Sequence, residues 1–282
     1  MNPRRRQGLT LAAGLLLGGL TAPGAARAQG SMVRLAGGDL VAADVGAILA
    51  RGQLVVAMAA NDSPPFFYTQ GGQLKGTDVR MAEQLAGELK VTLRIDRSPA
   101  SFNQVVDSVA RGDADLGISK LSHTLPRALS VHFSSPYLVL SHALILNRAE
   151  FAKLLRDRPL SWAIRNFTGA LAVIANSAFS DFAPRYFPLA RIVPYPSWDA
   201  AVEAVRRGQV TGAYRDEFEV RRLIKADPSL ALTLRAVTLK DLTDHLAIAV
   251  GVRNPTLLAF VNKFVDQRVE KVTVDTLLDE LS

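Results

Sequence analysis

The chain has 282 residues, of which 49% are hydrophobic, and it contains no cysteine. This composition excludes a disordered chain, a disulfide-stapled fold, thiolate chemistry and a lipid attached to an N-terminal cysteine. The net charge is +7, but residues 1–28 hold four arginines and no acids, so the rest carries only +3. So small an excess, without basic runs interleaved with aromatics, gives no support for nucleic-acid binding.

The first 28 residues have the order of a secretory signal. Three arginines at positions 4–6 precede an apolar run at 9–20 and a small-residue stretch that ends in Ala26-Arg27-Ala28. This order predicts a cleaved signal peptide with its cleavage site near Ala28, and the run is too short to span a bilayer comfortably. We therefore expect a periplasmic protein, with Sec and twin-arginine export both left open.

After a short leader at 29–50 with helical spacing, short apolar runs alternate with amphipathic segments. The first half predicts strands at 54–59, 91–95 and 114–118 and helices at 78–88 and 102–110. The second half predicts strands at 171–175, 190–194 and 212–214 and helices at 179–186 and 198–206. Strands that alternate with helices imply mixed, mostly parallel sheets with helices on both faces, an α/β fold.

Two segments of the chain match each other at a constant offset. Residues 101–103 match residues 197–199, and Arg111-Gly112 matches Arg207-Gly208. Two explanations are open. One is chance similarity between two α/β units, and the other is a chain with two lobes of like design.

Two apolar runs are predicted to cross between the lobes, a long one at 135–146 and a shorter one at 246–250. Two crossings make a hinge and place a binding cleft between the lobes. The predicted division assigns 51–139 together with 240–282 to lobe 1, and 140–239 to lobe 2.

Several short motifs follow one another in a specific order. They are Pro64-Pro65-Phe66, Gly76-Thr77-Asp78, Gly112-Asp113-Ala114-Asp115-Leu116, Ser122-His123-Thr124-Leu125-Pro126-Arg127 and Phe133-Ser134-Ser135-Pro136-Tyr137. In this order, between residues 52 and 279, the chain resembles the periplasmic solute-binding proteins of amino-acid ABC importers, bacterial extracellular solute-binding protein family 3. The resemblance implies a two-lobed type II periplasmic binding protein fold and a role in import. It also implies an inner-membrane ABC permease as partner, and we expect a monomer that is not an enzyme and uses no cofactor.

Arg127 is the first candidate for ligand binding. Thr124 is suited to cap a helix start, and Pro126 fits the first turn of that helix. A guanidinium binds a carboxylate through two parallel hydrogen bonds. The resemblance implies that Arg127 holds the α-carboxylate of an amino-acid-like ligand, with Ser122 beside it. The alternative is a surface arginine in a first helical turn.

The second lobe is predicted to supply the opposite charge. Asp216 leaves the strand at 212–214, and the resemblance implies that it receives the ligand's α-ammonium group. Alternatively, Asp216 caps the helix that follows. Ser177 matches a hydroxyl position that also meets the carboxylate, although Asn176 stands where the family often has glycine.

Four further residues complete the predicted site or limit it. Phe66 and Phe102 are either aromatic walls of the cleft or members of the core. Lys120 stands where the family usually has a small residue, and an unpaired buried lysine is costly. It either meets a second acid group on an acidic ligand or points to solvent. Ser63 replaces an aromatic residue that many members carry over the ligand.

Other function classes stay open. The histidines lack metal-binding spacing, so no metal site is predicted. A few relatives of this fold, such as cyclohexadienyl dehydratase, are enzymes, and Glu217 or Asp216 would then act as the acid. A third alternative is a periplasmic sensor or accessory protein of a redox pathway that uses the same fold.

Overall fold

A computed structural model of the chain describes residues 31–268 and 272–281, so the predicted signal peptide at 1–28 lies outside the described residues. The strands are β1 Met32–Arg34, β2 Leu40–Ala42, β3 Gln53–Ala57, β4 Tyr68–Gln70, β5 Gln73–Lys75, β6 Thr92–Asp96, β7 Leu116–Gly117, β8 Val131–Phe133, β9 Leu138–Asn147, β10 Ala170–Ile174, β11 Arg191–Tyr195, β12 Gly212–Asp216, β13 Leu234–Leu246 and β14 Ala249–Gly251. The α-helices are α1 Ala43–Arg51, α2 Thr77–Glu88, α3 Phe102–Arg111, α4 Leu125–Ala128, α5 Arg148–Leu155, α6 Leu160–Arg165, α7 Ala178–Tyr186, α8 Trp198–Arg206, α9 Glu217–Ala226, α10 Pro255–Gln267 and α11 Val274–Asp279. A search of this described part for a helix with the length and apolar character of a membrane span finds none.

Two five-stranded sheets organise the two lobes. The strand order is β6-β3-β7-β14-β8 in lobe 1 and β11-β10-β12-β9-β13 in lobe 2. Each sheet is mixed, with two parallel and two antiparallel strand pairs. The α/β two-lobed fold class is confirmed, whereas the residue boundaries given above for the lobes stay predictions.

The sheet of lobe 2 is covered on both faces, as the alternation along β9 requires. Successive side chains of a strand point to opposite faces. Ala143 and Ile145 pack into one apolar cluster, beside residues of α8 and α9. Leu144 and Leu146 pack into a second cluster, beside residues of α5, α6 and α7. The continuous apolar run in the sequence is therefore a strand buried from both sides.

The repeated segment has the same capping geometry in both lobes. The Ser101 hydroxyl accepts the Gln104 N–H at 3.3 Å at the start of α3, and the Ser197 hydroxyl accepts the Ala200 N–H at 3.2 Å at the start of α8. Both helices are followed by a glycine in the left-handed region, with φ of 84° at Gly112 and 67° at Gly208. The match in sequence therefore encodes one helix unit used in both lobes.

The crossing between the lobes consists of β9 and β13, which pair antiparallel. Residues 138–141 pair with 243–246, and residues 142–147 pair with 234–239, with an irregularity between Leu239 and Thr243. The return crossing therefore lies before the predicted run at 246–250, and β14 from that region pairs with β7 and β8 in lobe 1. The apolar pattern missed this crossing because positions 243–245 are polar.

Gly76 offers a test of how tightly the start of α2 is packed. A Cβ atom at Gly76 would lie 2.2 Å from the Phe66 carbonyl oxygen, and the φ of +128° disfavours any L side chain. We expect Gly76→Ala to lower the free energy of unfolding by about 2–4 kcal/mol, because strain and overpacking add. Urea unfolding of the variant and of the unsubstituted protein measures this difference in the free energy of unfolding.

Gly87 is the matched control in the same helix, because a Cβ atom there meets nothing within 4 Å. Gly87→Ala is expected to raise the stability by about 0.5–1 kcal/mol through helix propensity. Equal effects of the two substitutions would contradict the packing described at Gly76.

Candidate functional site

A cavity of about 10 Å³ lies between the lobes, space for about one water molecule. Its walls come from both lobes and from β13. Six of the seven predicted ligand-binding residues line it, all except Phe66. The lining residues are Phe102, Lys120, Ser122, Arg127, Ser177, Ala178, Phe179, Arg215, Asp216 and Asp244.

Arg127 is buried in this cavity, only 5% exposed, so the alternative of a surface arginine is wrong. The Thr124 hydroxyl accepts the Arg127 backbone N–H at 3.4 Å, which confirms the predicted cap of α4. The guanidinium donates from Nη1 to the Ser122 carbonyl at 3.0 Å, and from Nε and Nη2 to Asn103 Oδ1 at 3.1 and 3.0 Å. Burial lowers the pKa of Arg127, and the carboxylates of Asp244 and Asp181 oppose that shift.

All three hydrogen bonds of the guanidinium end on neutral groups. Within residues 31–268 and 272–281, Arg127 takes part in no ion pair within 4.0 Å. A buried cation of this kind favours an anion in the cavity, because transfer of an unpaired charge from water into the interior is costly.

Lys120 bridges the two lobes, which neither alternative for this residue anticipated. It is 5% exposed and so does not point to solvent. Its Nζ lies 2.7 Å from Glu219 Oε1 and 3.1 Å from Asp216 Oδ2, both in lobe 2. Because the protein's own acids compensate the ammonium, Lys120 gives no support for an acidic ligand.

Glu219 belongs to the same buried cluster. Burial would raise its pKa, but the charges of Lys120, Arg215 and Arg222 outweigh burial and lower the pKa to about 2. Arg222 donates to Glu219 Oε2 from Nε at 3.1 Å and from Nη2 at 2.7 Å. Glu219 therefore stays ionised at neutral pH and keeps its attraction for Lys120.

Both oxygens of Asp216 already have partners. Oδ1 accepts the Glu219 N–H at 3.0 Å, so the alternative of a helix cap is confirmed for α9. Oδ2 lies 3.1 Å from Lys120 Nζ and 3.5 Å from Arg215 Nε. Asp216 thus faces the cavity as predicted, but its charge is compensated by two cations of the protein.

The loop that carries Lys120 is held by a buried carboxylate. Lys120 has a φ of 48°, in the left-handed region, and its backbone N–H donates to Asp78 Oδ2 at 2.6 Å. Burial raises the pKa of Asp78 to about 7. The Lys120 N–H, the Tyr137 hydroxyl and the charges of Lys120 and Arg268 act in the opposite direction and lower it, but burial outweighs them. The Gly-x-Asp turn of the sequence therefore positions the cleft loop in addition to starting α2.

Asp244 is a cavity residue that the sequence reasoning missed. It lies on β13, is 2% exposed, and its Oδ2 accepts the Ser122 hydroxyl at 2.8 Å. Burial raises its pKa to about 6, Asp216 adds to the rise, and Ser122, Lys120 and Arg127 oppose it. The residue sits 122 positions from Ser122 in a polar stretch, so no local pattern marked it.

Ser177 and Phe102, two further predicted binding residues, both line the cavity. Ser177 is buried in the cavity wall, and its hydroxyl donates to the Ile174 carbonyl at 2.7 Å. Asn176 adopts φ 56°, a left-handed conformation that asparagine tolerates, so the turn persists without glycine.

Phe66, predicted either as a cleft wall or as core, is core. It is fully buried, and its ring packs edge-on against Phe218 with centroids 5.4 Å apart. The Lys120 ammonium lies 4.8 Å from the centroid of the Phe66 ring. Phe66 therefore adds a cation–π contact to the lobe-bridging lysine, because an ammonium is attracted to an aromatic face.

A wider groove of about 410 Å³ adjoins the cavity. It shares Phe102 and Arg215 with the cavity, and both Ser63 of lobe 1 and Trp198 of lobe 2 line it. Ser63 contributes only a small side chain to the wall of this groove. The groove offers room for a side chain of a ligand whose head group reaches the cavity.

We expect Lys120→Met to separate the lobes, because Asp216 and Glu219 would lose a buried cation. Removing one partner of a buried ion pair costs about 3–5 kcal/mol, and hydration of the acids in an open cleft avoids part of that cost. Small-angle X-ray scattering should show a larger radius of gyration, and urea unfolding a lower stability.

Lys153→Met is the control, because Lys153 forms an exposed pair with Glu150. Exposed pairs contribute at most about 1 kcal/mol, so neither readout should change appreciably. Identical scattering curves and stabilities for Lys120→Met and the unsubstituted protein would mean that the bridge does not hold the lobes together.

Known proteins with the same fold include several amino-acid-binding proteins. The chain is 23% identical to a candidate arginine-binding protein of an ABC transporter from Escherichia coli K12, over 77% of this chain and 86% of that protein. An amino-acid ABC transporter substrate-binding protein from Streptococcus pneumoniae bound to L-arginine superimposes with a TM-score of 0.66 at 26% identity, covering 83% of this chain and 96% of that one. An ancestral amino-acid-binding protein described as a precursor of cyclohexadienyl dehydratase gives a TM-score of 0.64 at 24% identity, over 84% and 98%.

The chain spans only 42% and 40% of the length of two further curated relatives that it matches. The family model of the bacterial extracellular solute-binding proteins, family 3, matches residues 54–280, which is most of the chain. The fold, the inter-lobe cavity and this match lead to one conclusion: the protein belongs to the bacterial extracellular solute-binding proteins, family 3.

Proposed function

We propose that this protein is a periplasmic receptor that binds a small amino-acid-like carboxylate between its lobes and delivers it to an inner-membrane ABC permease. One observation carries the proposal. The Arg127 guanidinium is buried in the inter-lobe cavity, hydrogen-bonded to neutral groups, and has no ion-pair partner in the described part of the chain.

The geometry of Arg127 leaves a binding fork. A guanidinium has five N–H groups, and three of them are used by Ser122 and Asn103. The two that remain belong to Nη1 and Nη2, one on each. We propose that these two N–H groups donate to the two oxygens of one carboxylate. Asn103 and Ser122 hold the plane of the guanidinium in a fixed orientation.

Binding to residues of both lobes would favour closure. Arg127 and Ser122 belong to lobe 1, and Ser177 and the Phe179 ring line the cavity from lobe 2. A ligand shifts an open–closed equilibrium only by its difference in affinity for the two states. A carboxylate held by Arg127 and covered by lobe 2 has that difference. Because the cavity measures about 10 Å³, the lobes must part before a ligand enters.

Two further observations support the amino-acid class and the location. Arginine is the named ligand of relatives that share the fold, and it carries the α-carboxylate that Arg127 is suited to bind. The segment at 1–28 has the composition of a secretory signal, and cleavage near Ala28 would release the receptor into the periplasm.

The enzymatic alternative receives little support from the proposed acids. Glu217 accepts the Ser141 backbone N–H at 2.8 Å and does not line the cavity, and Asp216 is held by Lys120 and by its own helix. We propose that the cleft binds without catalysis. Incubation with prephenate or arogenate, monitored by the absorbance of the aromatic product, checks this part of the proposal.

The carboxylate assignment predicts the behaviour of Arg127 variants. Calorimetric titration of refolded protein with acidic, neutral and basic amino acids, and with the same carboxylates without their amino groups, identifies the best ligand. We expect Arg127→Gln to weaken that ligand by about 100-fold, because a charge-assisted bidentate contact is lost.

Arg111→Gln is the control, because Arg111 is exposed and pairs with Asp113 two positions along the chain. Its affinity for the best ligand should equal that of the unsubstituted protein. If Arg127→Gln binds the best ligand as tightly as Arg111→Gln does, Arg127 is not the carboxylate site. If no carboxylate of the panel binds, the receptor proposal itself fails.

A further inference from the structure

We infer that Asp244 receives the ammonium group of a ligand whose carboxylate is bound by Arg127, and that Lys120 keeps Asp216 from this role. The inference rests on the proposed function and narrows the ligand to zwitterions with a free amine beside a carboxylate. It also departs from the expectation that Asp216 binds the ammonium.

The first observation is the incomplete hydrogen bonding of Asp244. The residue is 2% exposed, and only one of its two carboxylate oxygens, Oδ2, accepts a hydrogen bond from within the described chain. A buried polar atom without a partner is costly, and most such atoms in native proteins have one. Because Asp244 lines the cavity, we infer that its unpartnered Oδ1 accepts from a donor that enters between the lobes.

The second observation is that Ser122 joins Asp244 to Arg127. Its carbonyl accepts from Arg127 Nη1 at 3.0 Å, and its hydroxyl donates to Asp244 Oδ2 at 2.8 Å. One residue thus fixes a guanidinium and a carboxylate on the same wall of the cavity. A zwitterionic amino acid has the complementary arrangement, a carboxylate and an ammonium on adjacent atoms.

This wall is attached to lobe 1. Ser122 forms a bridge with Leu246, and the His123 N–H donates to the His245 carbonyl at 2.8 Å. These contacts tie the loop that carries Ser122 to the end of β13. We therefore expect Arg127 and Asp244 to keep their relative positions when the lobes separate, so that the head-group site exists before closure. Asp216, on β12 of lobe 2, is expected to move away from Arg127 in that motion.

The third observation is the occupation of Asp216. Its Oδ2 lies 3.1 Å from Lys120 Nζ and 3.5 Å from Arg215 Nε, and its Oδ1 caps α9. A ligand ammonium at Asp216 would be a third cation around one carboxylate, and like charges at short distance repel. At Asp244 the ammonium would meet a carboxylate that makes no ion pair in the described part of the chain.

Electrostatics give the assignment a pH signature. Asp244 has a pKa raised to about 6, so it is ionised at pH 8 and largely protonated at pH 5. A ligand ammonium favours the ionised form, so its affinity should fall by about tenfold from pH 8 to pH 5. The groups that act electrostatically with Asp244 are Arg127, Lys120, Asp216, Tyr137 and Tyr214.

The test uses paired probes and paired variants. The probes are the amino acid of the calorimetric panel that binds most tightly and the same molecule without its amino group. In Asp244→Asn we expect the amino acid to bind about 30-fold more weakly, because a charge-assisted contact is lost, and the deaminated carboxylate to bind no more weakly than before. In Asp216→Asn the ratio of the two affinities should not change.

The outcomes separate the inference from the proposed function. If only deaminated carboxylates bind, or if Asp216→Asn rather than Asp244→Asn removes the preference for the amino acid, the inference is overturned while the carboxylate site at Arg127 stands. If neither probe class binds, the proposed function fails and the inference fails with it.

Folding is checked independently, because asparagine is close in shape to aspartate and removes a buried charge. Asp244→Asn should unfold cooperatively in urea, with a stability at pH 8 no lower than that of the unsubstituted protein. The pH profile supplies a second readout in the unsubstituted protein. An amino-acid affinity that does not decline between pH 8 and pH 5 would also overturn the inference.

Discussion

The buried ion pair between Lys120 and the acids of lobe 2 is the interaction on which the closed arrangement of the cleft depends. Nζ is within 3.1 Å of two carboxylates, and the three side chains are almost completely buried. Such pairs contribute little net stability compared with apolar side chains, but removal of one partner is costly. Their effect is on specificity. Here the lysine reaches both carboxylates in a geometry in which the lobes meet.

The bridge changes the roles of the charges around it. With Lys120 paired to Asp216 and Glu219, the charges that we propose for ligand recognition are Arg127 and Asp244. Both are oriented by Ser122, from its carbonyl and its hydroxyl. The site thus separates two tasks. In the proposed site, charges across the lobes hold the cleft together, and charges within one wall recognise the solute.

Local features of the site were readable from the sequence, and long-range pairings were not. The cap at Thr124 follows from the residue type next to a helix start, and Arg127 followed from its motif. The partner of Lys120 lies 99 positions away in the other lobe. Asp244 lies in a polar crossing strand whose pairing with β9, rather than any local period, decides its burial. Such contacts depend on how the lobes meet, which no sequence window contains.

The lysine at position 120 also sets how much a solute must contribute to closure. In a receptor whose lobes are joined only through the ligand, the full difference between open and closed states comes from ligand contacts. An internal cross-lobe pair supplies part of that difference, so the closed state is populated more readily at any ligand concentration. A smaller share of the ligand's binding free energy is then needed to close the lobes. We expect its contacts with Arg127 and Asp244 to decide which ligand binds. Selectivity in this protein is therefore expected to reside in the head-group wall of lobe 1 rather than in the closing motion.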